Sequence, residues 1–390
     1  MFSLKKIAYC ICNKEEKLSY DEKETQKIDV KDCCIRVFKF LKDKAEHTNN
    51  FASIVTSSHI DFADIQLSII EDAAENGHVQ CMMIVASYGQ LQWTPRACIL
   101  AASNGHLECL KYARELGCPC DEITCVIAAR NGHRRILENL LNNGCPVDSY
   151  ACATAAKYGN LECLMFLHEN GCDWNESTCK QAAMNGHLEC LKYAREQGCP
   201  WSSDVCEKAA ATDQLECLIF AHENGCDWSI WTSISAARNG HLRILQYLFN
   251  NGCPWSSETC SAAADGGHLD CLKFLHESGC QWDRSTCMLA AFNGHLECLM
   301  YAHINGCMWD YMTCVAAAQR GKLDCLIYAH EQGCILNEGT CDVAALYNNL
   351  DCLIYAHKNG CPLTEETCKV AQRFNSIACL EYARQFVYLP

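Results

Sequence analysis

The sequence predicts an all-α fold, a helix-turn-helix solenoid of about twelve 27-residue repeats. Three series of residues predict it. The first occupies Gly77, Gly105, Gly132, Gly159, Gly186, Asp213, Gly240, Gly267, Gly294, Gly321, Asn348 and Asn375, at intervals of 27 after an initial 28. The second runs Gly89, Gly117, Gly144, Gly171, Gly198, Gly225, Gly252, Gly279, Gly306, Gly333 and Gly360 without substitution. Together they hold 20 of the 22 glycines, so glycine is placed twice per repeat. Four residues after each second-series glycine from Gly117 onward stands a third series: Asp121, Asp148, Asn175, Ser202, Ser229, Ser256, Asp283, Asp310, Asn337 and Thr364.

Each series predicts one element. Asp and Asn are the non-glycine residues that enter the left-handed conformation most readily, so the first series marks the end of a first helix. The second series marks the sharper stop of a second helix. The third consists of N-cap residues, whose side-chain oxygens accept from free N–H groups at a helix start. Between them lie two helices of about 10 and 11 residues, one carrying T-C-x-x-A-A and the other G-H-L-E-C-L-K-Y-A. Helices this short need stacked neighbours to bury their faces.

G-H-L-E-C-L-K-Y-A-R-E-x-G-C resembles the second helix and following turn of the ankyrin repeat, and T-C-x-x-A-A resembles its first helix. Ankyrin repeats run about 33 residues. The shortfall here falls between Gly-Cys and the next first helix, where that family carries a β-turn finger. The resemblance covers about four fifths of the chain and is similar to repeat arrays of large DNA viruses of protists and of some protists. It implies a protein-binding array, with the column after the paired alanines helping to line the binding face.

Residues 1–69 differ in kind from the array at 70–390. They carry 11 basic and 11 acidic residues, so the net charge of −15 belongs to the repeats. Cys33 to His47, with Ile35, Val37, Phe38, Phe40 and Leu41, is expected to form an amphipathic helix capping the first repeat, while residues 10–30, rich in Lys and Glu, are expected to be mobile.

Composition narrows the function. With 390 residues, 49% hydrophobic and 20% charged, the chain has ample material for a large folded body. Its negative charge is the wrong sign for a nucleic-acid or anionic-membrane partner. The N-terminus reads as no signal peptide and no stretch approaches 18 apolar residues, which predicts an intracellular, cytoplasmic protein, in a host cytoplasm if viral. The expected state is a monomer.

Thirty-five cysteines fall into three ladders of ten, with Cys10, Cys12, Cys33, Cys34 and Cys120 outside them. One ladder follows the turn (Cys118 to Cys361), one lies in the first helix (Cys98 to Cys368) and one in the second (Cys81 to Cys379). Zinc ligation and core packing both use these residue types. Ile136 and Ile244 interrupt the second-helix ladder, and isoleucine fills a core but ligates nothing, so packing is the expectation and no metal or cofactor is predicted. Disulfides along a ladder are disfavoured by a helix spacing of roughly 8–10 Å. Histidines after the turn glycine (His78, His106, His133, His187, His241, His268, His295) are expected to stabilise the turn. Those late in the second helix (His168, His222, His276, His303, His330, His357) share a column with Arg114, Arg195 and Arg384 and suit the helix C-terminus. Trp174, Trp201, Trp228, Trp255, Trp282 and Trp309 alternate with Val147, Leu336 and Leu363, which predicts packing between repeats. No phosphate loop, dinucleotide fingerprint, nucleophile elbow or metalloprotease motif occurs, so no enzyme activity is expected.

Variable columns are expected to be solvent-facing and to carry binding. From the column after the paired alanines come Arg130, Lys157, Met184, Arg238, Phe292 and Leu346; from the column after the first-helix cysteine, Met288; from the start of the first helix, Trp231. Exposed aromatic, Met and Arg residues are enriched at protein interfaces. The expected function is non-catalytic binding of a protein partner. The alternatives are a substrate-recruiting adaptor of a ubiquitin ligase, using residues 1–69 to reach the ligase, and a thiol-based metal or redox buffer.

Overall fold

A computed structural model describes residues 36–37, 62–87 and 92–387. They contain 24 helices and no strand, paired as first and second helices of successive repeats. Most helices are nine residues long, a little shorter than the spacing suggested, because the cap residues and the residues bearing the turns lie outside the helical hydrogen-bond ladder. The first described helix is longer, Phe62–Asn76, so the boundary expected at residue 70 falls within it.

The described chain forms two compact bodies, one of residues up to 182 with 189–200, the other of 183–188 with 201 onward. In each body first helices pack along first helices and second helices along second helices. The paired alanines make the first contact possible. Ala128 and Ala129 in one body, and Ala290 and Ala291 in the other, are fully buried and bring no bulk between the helices. Leu110, Leu164, Leu218, Leu299 and their equivalents fill the layer between first and second helices.

Both turns adopt the expected backbone. Every described position of the two series has positive φ, including Asp213 at +59°, Asn348 at +59° and Asn375 at +55°. The reasons differ between the series. In the first, a Cβ would meet the next repeat: at Gly240 it would stand 2.4 Å from the His268 ring, and at Gly186 2.1 Å from the Gln214 amide. In the second, the described glycines have open space around them, but φ climbs to +95° at Gly333 and +94° at Gly360, beyond the left-handed well of an L-residue. Where the first series departs from glycine, the next repeat accommodates it. Asp213 faces His241 at 3.6 Å, Asn348 is followed one repeat on by the small Ser376, and Asn375 ends the series. Gly89 lies outside the described residues.

The N-caps also form. Asp121, Asp148, Asn175, Ser229, Ser256, Asp283, Asp310, Asn337 and Thr364 each accept from a backbone N–H of the following helix. At Ser229, Ser256, Asn337 and Thr364 the threonine of the T-C pair, or its equivalent Thr232, reaches back to the cap N–H and completes a capping box. Ser202 corrects the expectation. That helix starts at Asp204, and Ser203, in an α conformation, stands before it without a side-chain cap.

Of the expected capping helix at 33–47, only Arg36 and Val37 lie within the described residues. Both are helical, Val37 is fully buried, and Arg36 bonds to Asp72 and Ser68 of the helix Phe62–Asn76. The mobility expected of residues 10–30 concerns residues outside that range.

Candidate interaction surface

The three variable columns lie on one stripe of the first helix. Trp231, Ile234 and Arg238 are spaced i, i+3, i+7, which places them on a common helix face. The column at the helix start is mostly open: Trp231 is 56% exposed and Tyr150 64%, with Ile123 and Met312 exposed beside them. At the other end Arg130, Lys157, Met184 and Arg238 are exposed.

The middle column does not match its reading as solvent-facing. Ile234 is 4% exposed, Ala153 and Ser261 are buried, and Met288 is half-buried with Lys180, Glu207, Val315 and Asp342. It varies because it touches the neighbouring repeat, where several residue types satisfy one contact. Ser261 Oγ lies 3.3 Å from Thr286 Oγ1, and Thr367 donates to Asp342 at 2.6 Å. Burial holds the Asp342 carboxyl above the usual carboxylate range. Phe292 and Leu346 of the last column are also half-buried.

Neighbouring repeats bring some of these residues together. Arg130 and Lys157 converge on Tyr158, with the guanidinium 5.1 Å and the ammonium 5.6 Å from its ring centroid. In the other body Arg238 pairs with Asp265 at 3.5 Å, Arg320 covers Phe292 at 4.6 Å, and Gln319 donates to the Tyr347 hydroxyl at 3.3 Å. No contact joins Trp231 to Met288 or Leu346 among those the structure shows. Tyr158, Arg320 and Tyr347 escaped the sequence reading. Their column, two residues past the paired alanines, holds Asn more often than any other residue, and its departures from Asn were the available signal.

The histidines behave more specifically than expected. Those after the first turn do not cap their own helix; they reach back to the first-helix carbonyls of the preceding repeat. His106 meets Glu75 O at 3.0 Å, His241 meets Ala211 O at 3.2 Å and His295 meets Asp265 O at 3.1 Å. Where the column holds asparagine the bond persists, Asn160 donating to Ala129 O and Arg130 O, and Asn349 to Ala318 O and Gln319 O. Carbonyls left open at a helix end are thereby satisfied across repeats.

The second histidine column joins the tryptophans in aromatic clusters. His168 stacks on Trp174 at 3.7 Å, its Nδ1 bonds the Tyr193 hydroxyl at 3.0 Å, and the Tyr193 ring meets Trp174 edge-on. The pattern returns at His276, Trp282 and Tyr301 and at His303, Trp309 and Tyr328. The tryptophans are half-buried between repeats, as their exchange with aliphatics predicted.

All described cysteines except Cys120 are buried, and all are free. The turn thiols donate to the carbonyl of the cap position 24 residues earlier, as Cys172 does to Asp148 O at 3.1 Å and Cys361 to Asn337 O at 3.0 Å. The first-helix cysteine 20 residues earlier also lies close at the first of these turns, where Cys98 Sγ and Cys118 Sγ are 3.2 Å apart. In the second helix burial pushes Cys109 and Cys271 up to about 12, and Cys163 and Cys298 to about 11. Ser233 replaces one first-helix cysteine and donates to Pro254 O at 2.8 Å, so the column takes a small donor, S–H or O–H. Among the described residues no three His, Cys, Asp or Glu side chains converge as a metal site requires, and no helix is long and apolar enough to cross a membrane.

Residues 125–204 match the family model for ankyrin repeats in three copies. No curated protein matches the chain. Among solved structures, the human ASB11 ankyrin repeat domain is similar at 18% identity, covering 40% of this chain and 84% of that one with a TM-score of 0.37. The matched segment, residues 125–204, carries ankyrin repeats, and the same capped helix pair and glycine turns recur at 27-residue spacing before and after it.

Proposed function

We propose that the chain is a non-catalytic scaffold that binds a protein partner through the two exposed columns of its first helices. The observation that carries this is the contrast within the stripe. The middle column is spent on contacts between repeats, while the outer columns hold Ile123, Tyr150, Trp231, Arg130, Lys157 and Met184 exposed to solvent. Met288, Phe292 and Leu346 contribute edges rather than projecting side chains.

The stretch 33–47 acts in this proposal as a cap on the first repeat, supported by the burial of Val37 and the bonds of Arg36. Free, buried thiols suit a reducing compartment, which supports an intracellular location. The ligase-adaptor and thiol-buffer alternatives gain no comparable support: the thiols a buffer would use are buried and committed to backbone carbonyls.

The test is capture on the intact chain, identification of the partner, and affinity measurement with Trp231→Ala combined with Arg238→Ala. The reading expects binding to weaken about tenfold or more, with an unchanged unfolding midpoint. A partner held equally by wild type and variant, and by an equivalent pair at Tyr150 and Lys157, overturns it.

A further inference from the structure

The second body carries an apolar patch away from the first-helix stripe. Met308, Ile304 and Ile335 are the most exposed large hydrophobic side chains among the described residues, at 81%, 72% and 71%. The repeat does not call for them. From Glu115 to Lys358 the column of Ile304 otherwise holds Glu, Asn or Lys, and from Pro119 to Pro362 the column of Met308 and Ile335 otherwise holds Pro, Asp or Gln. The same turn forms with those residues, so its backbone does not ask for aliphatic side chains here.

The three stand together. Ile304 ends the second helix Leu296–Ile304, Met308 follows it across the turn at Gly306, and Met300, 37% exposed, lies one helical turn before Ile304 on the same face. The next turn packs against this one: Cys334, beside Ile335, donates its thiol to Asp310 O at 3.2 Å, two residues past Met308. Single exposed hydrophobic residues are ordinary, but neighbouring ones gathered from successive repeats mark an interaction site. Its rim is acidic. Glu277 and Glu331, both exposed, occupy the column of Ile304 one repeat before and one repeat after it, and the exposed Glu297 lies seven residues before Ile304 on the same helix face. Two cations of the preceding repeat are already engaged, Arg284 with Asp310 at 3.2 Å and Lys273 over the Tyr301 ring at 5.9 Å.

We propose that this patch docks an amphipathic helix of a partner protein, apolar along one face and rich in Lys and Arg beside it. It is a second contact surface and does not rest on the first-helix stripe. Charge selects the occupant. A second copy of this chain, itself at net −15, would bring the same acidic rim against Glu277 and Glu331, a like-charge contact that opposes association. A basic helix offsets those carboxylates while its apolar face covers Ile304, Met308 and Ile335. Spacing selects the helix: equivalent positions of stacked repeats lie roughly 8–10 Å apart, close to the rise of about 10.5 Å between positions i and i+7 of a helix.

The experiment uses the full chain and a synthetic amphipathic peptide with leucine on one helical face and lysine elsewhere, read by fluorescence anisotropy. The comparator is the same peptide with glutamate in place of lysine. The lysine peptide is expected to bind saturably and at least tenfold tighter than the glutamate peptide. Ile304→Glu with Met308→Gln and Ile335→Gln gives the patch the residues its columns carry at Glu277 and Gln281, so this variant is expected to keep the unfolding midpoint and lose binding at least tenfold. Glu277→Lys with Glu331→Lys, a residue that column takes at Lys358, is expected to weaken binding severalfold with the apolar patch intact. Trp231→Ala with Arg238→Ala is expected to bind the peptide as wild type does, which separates this surface from the first-helix one. The proposal is overturned by no saturable binding, by the glutamate peptide matching the lysine peptide, by wild-type affinity in the patch variant or in the rim variant, or by loss of binding in the Trp231 and Arg238 variant. Sedimentation showing a wild-type dimer that the patch variant abolishes would overturn it in favour of a second copy.

Discussion

Trp228 and Trp231 stand three residues apart at the entry to one first helix, and the fold uses them differently. Trp228 is half-buried, stacked on His222 at 3.6 Å and met edge-on by Tyr247 of the next repeat. Trp231 is over half exposed, and only its backbone is engaged, donating to the Ser229 cap. The same side chain is thus a joint between repeats in one column and a projecting surface group in another. What separates them is the 27-residue period. A column whose neighbour lies one repeat away is held by packing, and a column with no such neighbour is free.

The coarsest way to break this contrast is to break the period. Deleting residues 148–174 removes one whole repeat and joins equivalent positions, so the shortened chain should unfold cooperatively with modestly lower stability. Deleting 20 residues from the same stretch puts caps and glycine turns out of phase, and cooperative unfolding should be lost. Similar calorimetric transitions for the two deletions would refute the 27-residue unit.

Alkaline titration tests the interior columns together. A thiol is neutral when protonated, and burial raises the second-helix thiols from near 9 to about 11–12. The unfolded chain therefore ionises first. The stabilisation is whole below pH 9 and is lost as pH rises toward 12. Unfolding midpoints should be flat up to pH 9 and fall steeply above it; a flat profile to pH 11 would contradict thiol burial.

Trp228→Ala should cost about 3 kcal/mol, at the low end for an aromatic truncation because the ring is only half-buried. The two glycine series should differ next. Gly240→Ala combines positive-φ strain with a collision against the His268 ring and should cost about 2–3 kcal/mol, whereas Gly171→Ala meets open space and should cost only the strain, about 1 kcal/mol. Equal losses would mean that the first turn makes no contact across repeats. Smallest of all, Trp231→Ala should shift stability by less than about 0.5 kcal/mol in denaturant unfolding. A loss matching Trp228→Ala would place Trp231 in the interior.

The sequence by itself determined the repeat length, the helix pairs, both turns and nearly all caps, because these depend on backbone conformation within a few residues. Positive φ demands Gly, Asn or Asp, and a helix start demands a side-chain acceptor. It determined equally that the cysteine ladders fill the interior, since isoleucine replaces cysteine in one of them. Only the tertiary structure decided what depends on groups meeting 24 to 31 residues apart. His241 and Asn160 bond to carbonyls of the preceding repeat, His168 belongs to a cluster with Trp174 and Tyr193, and the thiol of Cys172 satisfies Asp148 O. Variation alone could not separate the exposed column of Trp231 from the buried column of Ile234, because a contact with a neighbouring repeat tolerates many residues when that neighbour varies too.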